Sequence, residues 1–295
     1  MTSIARVLDG GMSNALQARG HDLSDALWSA RLLRDDPAEI AAVHRAYYRA
    51  GATVATTASY QASVDGFVRA GVARDEARRL VRSSVAIARK VRDELAEDGH
   101  TRWVAASVGP YGAVLADGSE YHGRYGLGPQ ELRDFHAPRL ELLAEAGPDL
   151  LAVETIPDAD EAEVLVDLVD DLGLPAWLSY SIDGLVTRAG QPLHDAFVAA
   201  AAGTYVFAVG VNCCRPGDVL PALQIARSAT DKPLVAYPNS GETWDAAVRG
   251  WSGPPAYDVT LAPAWVAAGA KYVGGCCRVG PDDIARLAAL LSEPA

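Results

Sequence analysis

The four cysteines of this 295-residue chain form two vicinal pairs, Cys213-Cys214 and Cys276-Cys277. Each pair closes a short apolar run, Val209-Gly210-Val211-Asn212 in one case and Val273-Gly274-Gly275 in the other. Adjacent cysteines are poorly placed to bridge each other, and in a large intracellular chain thiols more often bind metal, react or pack than form disulfides. Thiolates select soft ions, zinc before magnesium or calcium. Three of them leave an open fourth position, as in catalytic zinc sites, whereas four make a closed structural site. Thiols that carry no metal and simply pack are the plainest alternative. We expect the open arrangement. Cys276 and Cys277 act together, because the glycines before them permit the bend that turns neighbours toward one ion. Cys213, directly after Asn212, is the third ligand, with Cys214 a bystander.

Three thiolates on a divalent zinc carry a net charge of −1, which is poor for making hydroxide from water. The same charge suits a substrate thiol, which would lose its proton to the metal yet stay electron-rich. Attack of such a thiolate on a cationic methyl donor cancels opposite charges, so methyl transfer to a thiol is the expected chemistry. Asp9 and Glu154 are two carboxylates at strand ends that could hold an α-ammonium group through charge-assisted hydrogen bonds. Backbone N–H groups near Gly10, Gly11 and Thr57 could meet the carboxylate of an amino acid. The alternatives are local: Asp9 as a turn residue before Gly-Gly, and Glu154 as a charge at a helix start before Pro157. Asn239 reads as a polar site residue or as a turn former.

Positioning these groups falls to short apolar β-rich runs that alternate with longer amphipathic stretches. The runs are Arg6–Gly11, Thr53–Thr57, Trp103–Ser107, Leu150–Glu154, Ala176–Tyr180, Val206–Val211, Leu234–Tyr237 and Tyr272–Gly274. Helical patterns cover Pro37–Ala50, Ala73–Glu97, Pro129–Ala146, Asp158–Leu172, Leu193–Ala202, Gly217–Ala229, Tyr257–Ala268 and Pro281–Leu291. The later strands recur at roughly 25 to 40 residues, the size of a βα unit whose crossover helix makes the sheet parallel. Eight such units predict a single-domain α/β TIM barrel over residues 1–295, with an open doubly wound sheet as the alternative. In a barrel the site lies at the C-terminal ends of the strands, where Asp9, Thr57, Glu154, Cys213, Asn239, Cys276 and Cys277 all fall. Strands six and eight flank strand seven, so their ends stand roughly 10 Å apart, within reach of one ion. Two Gly/Pro-rich segments, Gly109–Gly128 and Asn239–Pro255, are long for plain connections and predict functional loops.

A net charge of −12 and a pI near 4.9 argue against nucleic acid or an anionic membrane, either of which needs a basic face. A small, possibly cationic substrate fits better. The sequence from Met1 to Arg6 lacks a signal pattern, and no apolar run approaches the roughly 18 residues of a membrane span, so a cytoplasmic protein is expected. The three lysines, Lys90, Lys232 and Lys271, fall in a helix or before strands seven and eight, away from the site. A Schiff-base barrel is therefore not expected. The six histidines show no metal-ligand spacing, and the glycines after strand three do not form a dinucleotide fingerprint.

Several motifs, spread over the chain, resemble the homocysteine S-methyltransferase family. They are Leu8-Asp9-Gly10-Gly11-Met12, Thr56-Thr57-Ala58-Ser59-Tyr60-Gln61-Ala62, Ser107-Val108-Gly109-Pro110-Tyr111-Gly112-Ala113 and Ala116-Asp117-Gly118-Ser119-Glu120-Tyr121, followed by Glu154-Thr155, Gly210-Val211-Asn212-Cys213, Tyr237-Pro238-Asn239-Ser240-Gly241-Glu242 and Gly274-Gly275-Cys276-Cys277-Arg278. The resemblance implies a TIM barrel and a zinc held by Cys213, Cys276 and Cys277, with homocysteine bound through its sulfur and methionine as product. It also implies that Asp9 and Glu154 hold the amino group, with carboxylate contacts near Gly10, Gly11 and Thr57 to Ser59. The motif at Tyr237 is similar to the branch that uses a freely diffusing sulfonium, S-methylmethionine or S-adenosylmethionine, rather than betaine; selenocysteine could serve as acceptor in the same geometry. A zinc or thiol sensor without turnover is the competing class. The expected form is a monomer or small homo-oligomer. Ser13-Asn14-Ala15, where relatives often carry Thr-Glu, and the extra thiol Cys214 depart from the family pattern without removing a proposed ligand.

Overall fold

A computed structural model describes residues 5–23, 27–115, 117–245, 250–254 and 257–292. Eight parallel strands make one sheet: β1 Arg6–Val7, β2 Val54–Thr56, β3 Trp103–Val108, β4 Leu150–Ile156, β5 Ala176–Tyr180, β6 Val206–Asn212, β7 Leu234–Tyr237 and β8 Ala270–Val273. Their spatial order is β1-β8-β7-β6-β5-β4-β3-β2. The ring closes where Leu8 bridges Val54 in parallel, with Asp9 N–H donating to the Val54 carbonyl at 3.1 Å. The expected TIM barrel is therefore observed, and the open sheet is not.

Burial on both faces explains the near-continuous apolar strands. Alternation then sorts each strand between helix layer and lumen. Leu151 and Val153 of β4, Leu178 and Tyr180 of β5 and Val209 and Val211 of β6 pack outward in the main core. Ala105, Leu150, Ala152, Trp177, Ala208, Val235 and Tyr237 fill the lumen. Two large rings, Trp177 and Tyr237, sit edge to face with centroids 6.1 Å apart, and the alanines around them make the room. Following the same alternation, lumen positions toward the C-terminal end include Ser107, Glu154, Ser179 and, beyond Gly210, Asn212, all buried. The lumen thus turns polar as the strands end.

The helices that cover the barrel include Pro37–Arg49, Arg74–Glu94, Pro129–Glu145, Ala159–Leu172, Leu193–Ala201, Pro216–Ala229 and Pro281–Ser292. The pattern expected over Tyr257–Ala268 is a 3-10 turn, Val259–Leu261, followed by a short helix, Ala262–Ala267. Four features escaped the hydrophobic pattern because they are short: helices Met12–Ala18, Val64–Arg69 and Tyr111–Leu115, and the antiparallel pair Ile182–Asp183 with Val186–Thr187. A second antiparallel pair, Thr243–Asp245 with Gly250–Ser252, lies within the long segment expected after β7. Parts of the expected functional loops, Ala116, 246–249 and Pro255, lie outside the described residues, as does most of Met1–Arg6. Among the described residues no helix is long and apolar enough to cross a membrane.

Candidate active site

The sulfurs of Cys213, Cys276 and Cys277 all lie within 4.8 Å of one another at the ends of β6 and β8. The Cys213–Cys277 separation is 3.9 Å. A tetrahedral ion with Zn–S near 2.3 Å sets its sulfurs about 3.8 Å apart, which the Cys213–Cys277 pair already matches. These three residues can hold a metal ion. Cys214 does not join them: it is buried in the core cluster outside the barrel, and burial pushes its thiol above the ordinary value. Within the trio the proton distribution is uneven. Hydrogen bonds from Cys276 and then Cys277 pull the Cys213 thiol well below its ordinary value, and those two thiols rise in consequence.

Backbone geometry explains how one residue of the first pair reaches the site. Cys213 has φ of 49°, a left-handed conformation uncommon for a side-chain-bearing residue. Thr155 (φ 61°) and Arg278 (φ 64°) share it, so three of the four such non-glycine residues among those described adjoin the ends of β4, β6 and β8. Strain of this kind persists where surroundings over-determine it, and Asn212 supplies the constraint. Its Oδ1 accepts the Thr155 N–H at 2.7 Å and the Ser179 hydroxyl at 2.8 Å, and its Nδ2 donates to Thr155 Oγ1 at 2.8 Å. Asn212 Nδ2 also approaches Cys276 Sγ at 3.9 Å.

The second pair is set by glycines and by Asn239. A Cβ on Gly275 would stand 2.1 Å from Val279 Cγ1, and one on Gly10 2.2 Å from the Val279 carbonyl oxygen. Only glycine allows the β1 and β8 ends to close on each other. Cys276 N–H donates to the Pro238 carbonyl at 2.7 Å, and Cys277 N–H to Asn239 Oδ1 at 3.1 Å. Asn239 therefore holds the ligand loop with its carbonyl oxygen.

Asp9 and Glu154 enter the same polar end of the lumen, each nearly buried. Thr56 fixes Asp9 through its N–H and its hydroxyl, both at 2.8 Å; Ser107 donates its hydroxyl to Glu154 Oε1. Burial dominates both titrations. It pushes Asp9 up to about 8 against the Thr56 hydrogen bonds, with the Glu154 charge adding to the rise. Glu154 is pushed up to about 7 by burial, opposed by Ser107 and Tyr237, with the Cys213 charge also raising it. These carboxyls are short of positive partners, a state that suits a cationic ligand.

Thr57 and Ser59 share a hydrogen bond between hydroxyls at 2.6 Å, and Ser59 Oγ donates to the Ser107 carbonyl at 2.7 Å. The Thr57 N–H already donates to Ala105 and the Gly11 N–H to Val279, so those two amides give a carboxylate a contact surface more than fresh donors. Buried Arg139 joins the loops after β2 and β3, donating to the carbonyls of Ser59 at 2.7 Å and Gly109 at 2.9 Å. Lys232 Nζ donates to the Gly203 and Val206 carbonyls, at the start of β6 and so at the far end of the barrel. The helical histidines His44 and His136 are fully buried, the latter paired with Glu161 at 2.8 Å.

The homocysteine S-methyltransferase family profile matches residues 6–291. The chain belongs to that family. It is 45% identical over 291 residues to the homocysteine S-methyltransferase of Escherichia coli, covering 96% of this chain and 94% of the relative. It is 42% identical to homocysteine S-methyltransferase YbgG of Bacillus subtilis, over 96% and 93% of the two chains. Among solved structures, the Escherichia coli homocysteine methyltransferase MmuM in its metallated form superposes with a TM-score of 0.88 at 42% identity, covering 97% of this chain and 96% of that one.

Besides the expected residues, this family member brings in several that residue chemistry alone did not single out. Ser107 and Ser179 hold Glu154 and Asn212; each is a polar residue at a lumen position of an apolar strand, and strict alternation marks them. Tyr121 places its hydroxyl 3.7 Å from Cys213 Sγ, from a loop whose path no periodicity reveals.

Proposed function

We propose that this protein transfers a methyl group from a sulfonium donor, S-methylmethionine foremost, to the thiol of homocysteine, giving methionine. The observation that carries this reading is the three-thiol cluster of Cys213, Cys276 and Cys277 set beside two buried carboxylates, Asp9 and Glu154. The cysteines would hold zinc, whose chemistry is to acidify a thiol that joins it and so keep the acceptor sulfur nucleophilic at neutral pH. Asp9 and Glu154, once ionised, take the acceptor's α-ammonium by charge-assisted hydrogen bonds. Gly10, Gly11, Thr57 and Ser59 shape the wall against its carboxylate. Ser107 and Thr56 orient the two carboxylates, and Asn212 and Asn239 keep the ligand loops in place, so that little reorganisation accompanies the reaction. The methyl carbon passes to the acceptor sulfur while its bonding pair stays on the donor sulfur, which leaves as a neutral thioether. All four cysteines are free, and we place the protein in the cytoplasm, where thiols stay reduced.

The test is methionine formation by zinc-loaded protein from homocysteine with S-methylmethionine, S-adenosylmethionine or betaine in parallel. Turnover with a sulfonium and none with betaine is expected. A protein that binds zinc yet forms no methionine from any of the three would overturn the reading in favour of a sensor.

A further inference from the structure

A cleft of about 250 Å³ is bounded by Tyr121, Asp183, Arg188, Arg215, Asp218 and Asn239 among others, with Cys214 the one cysteine in its wall. Two of its wall residues contact the cluster, although Cys213, Cys276 and Cys277 do not themselves line it. Tyr121, in its wall, approaches Cys213 Sγ at 3.7 Å, and Asn239, also in its wall, accepts the Cys277 N–H. It is distinct from the Asp9–Glu154 end of the lumen, since neither carboxylate lines it. Its charges are mixed: Asp183 and Asp218 face the space together with Arg188 and Arg215, and a further wall carboxylate, Glu242, is paired with Arg278 at 2.9 Å. Arg188 stacks over the Tyr121 ring at 5.6 Å and donates to Ser181 Oγ at 3.3 Å, so its guanidinium is held at the cleft.

A second feature lies on the turn that carries Tyr121. Its neighbour Glu120 is 5% exposed, and Glu120 Oε2 has no hydrogen-bond partner among the described residues. Burial first, and the nearby Cys213 charge after it, push the Glu120 carboxyl up to about 7. A buried carboxylate oxygen without a donor is relieved by a cation brought close to it, although Glu120 itself does not line the cleft.

We propose that this cleft is the methyl-donor subsite and that it takes a sulfonium amino acid by both ends of its zwitterion, the α-ammonium on Asp183 and Asp218 and the α-carboxylate on Arg188 and Arg215. The sulfonium then lies toward Tyr121, whose hydroxyl approaches Cys213 Sγ at 3.7 Å. The volume suits an amino acid, being just below the roughly 300 to 1,000 Å³ of pockets for drug-sized ligands. This assignment rests on the methyltransferase reading, but its test does not need turnover.

Binding of S-methylmethionine to zinc-loaded protein is measured by calorimetry for the wild type and the double variant D183N/D218N, with homocysteine affinity and zinc content measured on the same samples. The variant is expected to bind S-methylmethionine about tenfold more weakly, the effect of losing a charge-assisted contact, while homocysteine affinity and zinc are unchanged. S-adenosylmethionine carries the same amino-acid head and should weaken in parallel; betaine, whose α-nitrogen is quaternary and has no N–H to donate to a carboxylate, should lose much less. Equal S-methylmethionine affinity in wild type and variant would overturn the subsite. Binding that depends on Asp183 and Asp218 in a protein that forms no methionine would leave the subsite standing and sink the methyltransferase reading instead.

Discussion

The two cysteine pairs look alike in sequence and behave differently in the fold. After β6 only Cys213 faces the site, because its left-handed backbone turns one side chain inward while Cys214 packs in the outer core. After β8 both Cys276 and Cys277 contribute, because Gly274 and Gly275 let the chain run against β1 and Val279. One pair is split by strain that Asn212 and Thr155 hold in place; the other is gathered by close packing. A vicinal motif therefore states that thiols are near, and the backbone before it decides how many converge.

Substitutions at and around the two pairs should differ widely in effect. Cys276→Ala should have the largest effect, removing a ligand and with it bound zinc and more than about a hundredfold of the activity, because catalytic zinc relies on its full ligand set. Zinc analysis and methionine formation check both halves; a zinc-replete, fully active variant contradicts the tripod. Gly275→Ala should follow. Its new Cβ meets Val279 Cγ1 at 2.1 Å, and overpacking of this kind costs about 1–3 kcal/mol, read as a lower denaturation midpoint together with weaker zinc retention.

Glu154→Gln should keep zinc and weaken homocysteine binding about tenfold, as expected for loss of a charge-assisted bond. The same residue predicts a pH dependence. Burial raises Glu154 to about 7 and Asp9 to about 8, so both carboxyls are largely neutral below those values and cannot balance an ammonium. Homocysteine affinity should therefore fall as pH drops from about 8 to 6, and the fall should be shallower in Glu154→Gln; an identical profile would remove Glu154 from ammonium binding. The smallest effect belongs to Cys214→Ala, with zinc and activity retained and stability lowered by about 1 kcal/mol for the lost sulfur contacts in a buried site. Loss of metal in this variant, with Cys213→Ala still loaded, would reverse the choice within the first pair.

Much of this arrangement was legible in the sequence, for identifiable reasons. The barrel followed from eight apolar runs at βα spacing, and the placement of Asp9, Glu154, Cys213, Cys276 and Cys277 followed from the rule that strand ends build the site. Convergence of only one thiol of the first pair on the cluster was also expected, although its cause, a positive φ at Cys213, has no signature in a residue type that rarely adopts it. The supporting residues were harder to see. Ser107 and Ser179 are single hydroxyls in apolar strands, and only the lumen register gives them a role. Tyr121 and Arg188 come from a long loop and a short antiparallel turn, elements set by tertiary contacts with weak local patterns, and so the cleft they line was invisible to periodicity.

On the proposed reading, Cys213, Cys276 and Cys277 form an open metal site that the substrate's sulfur completes. X-ray absorption at the zinc edge, recorded on the loaded protein before and after homocysteine is added, addresses it most directly. Three sulfur neighbours at about 2.3 Å with one lighter atom are expected, rising to four sulfurs with homocysteine. Four sulfurs before any substrate is added, or no change on its addition, would contradict it.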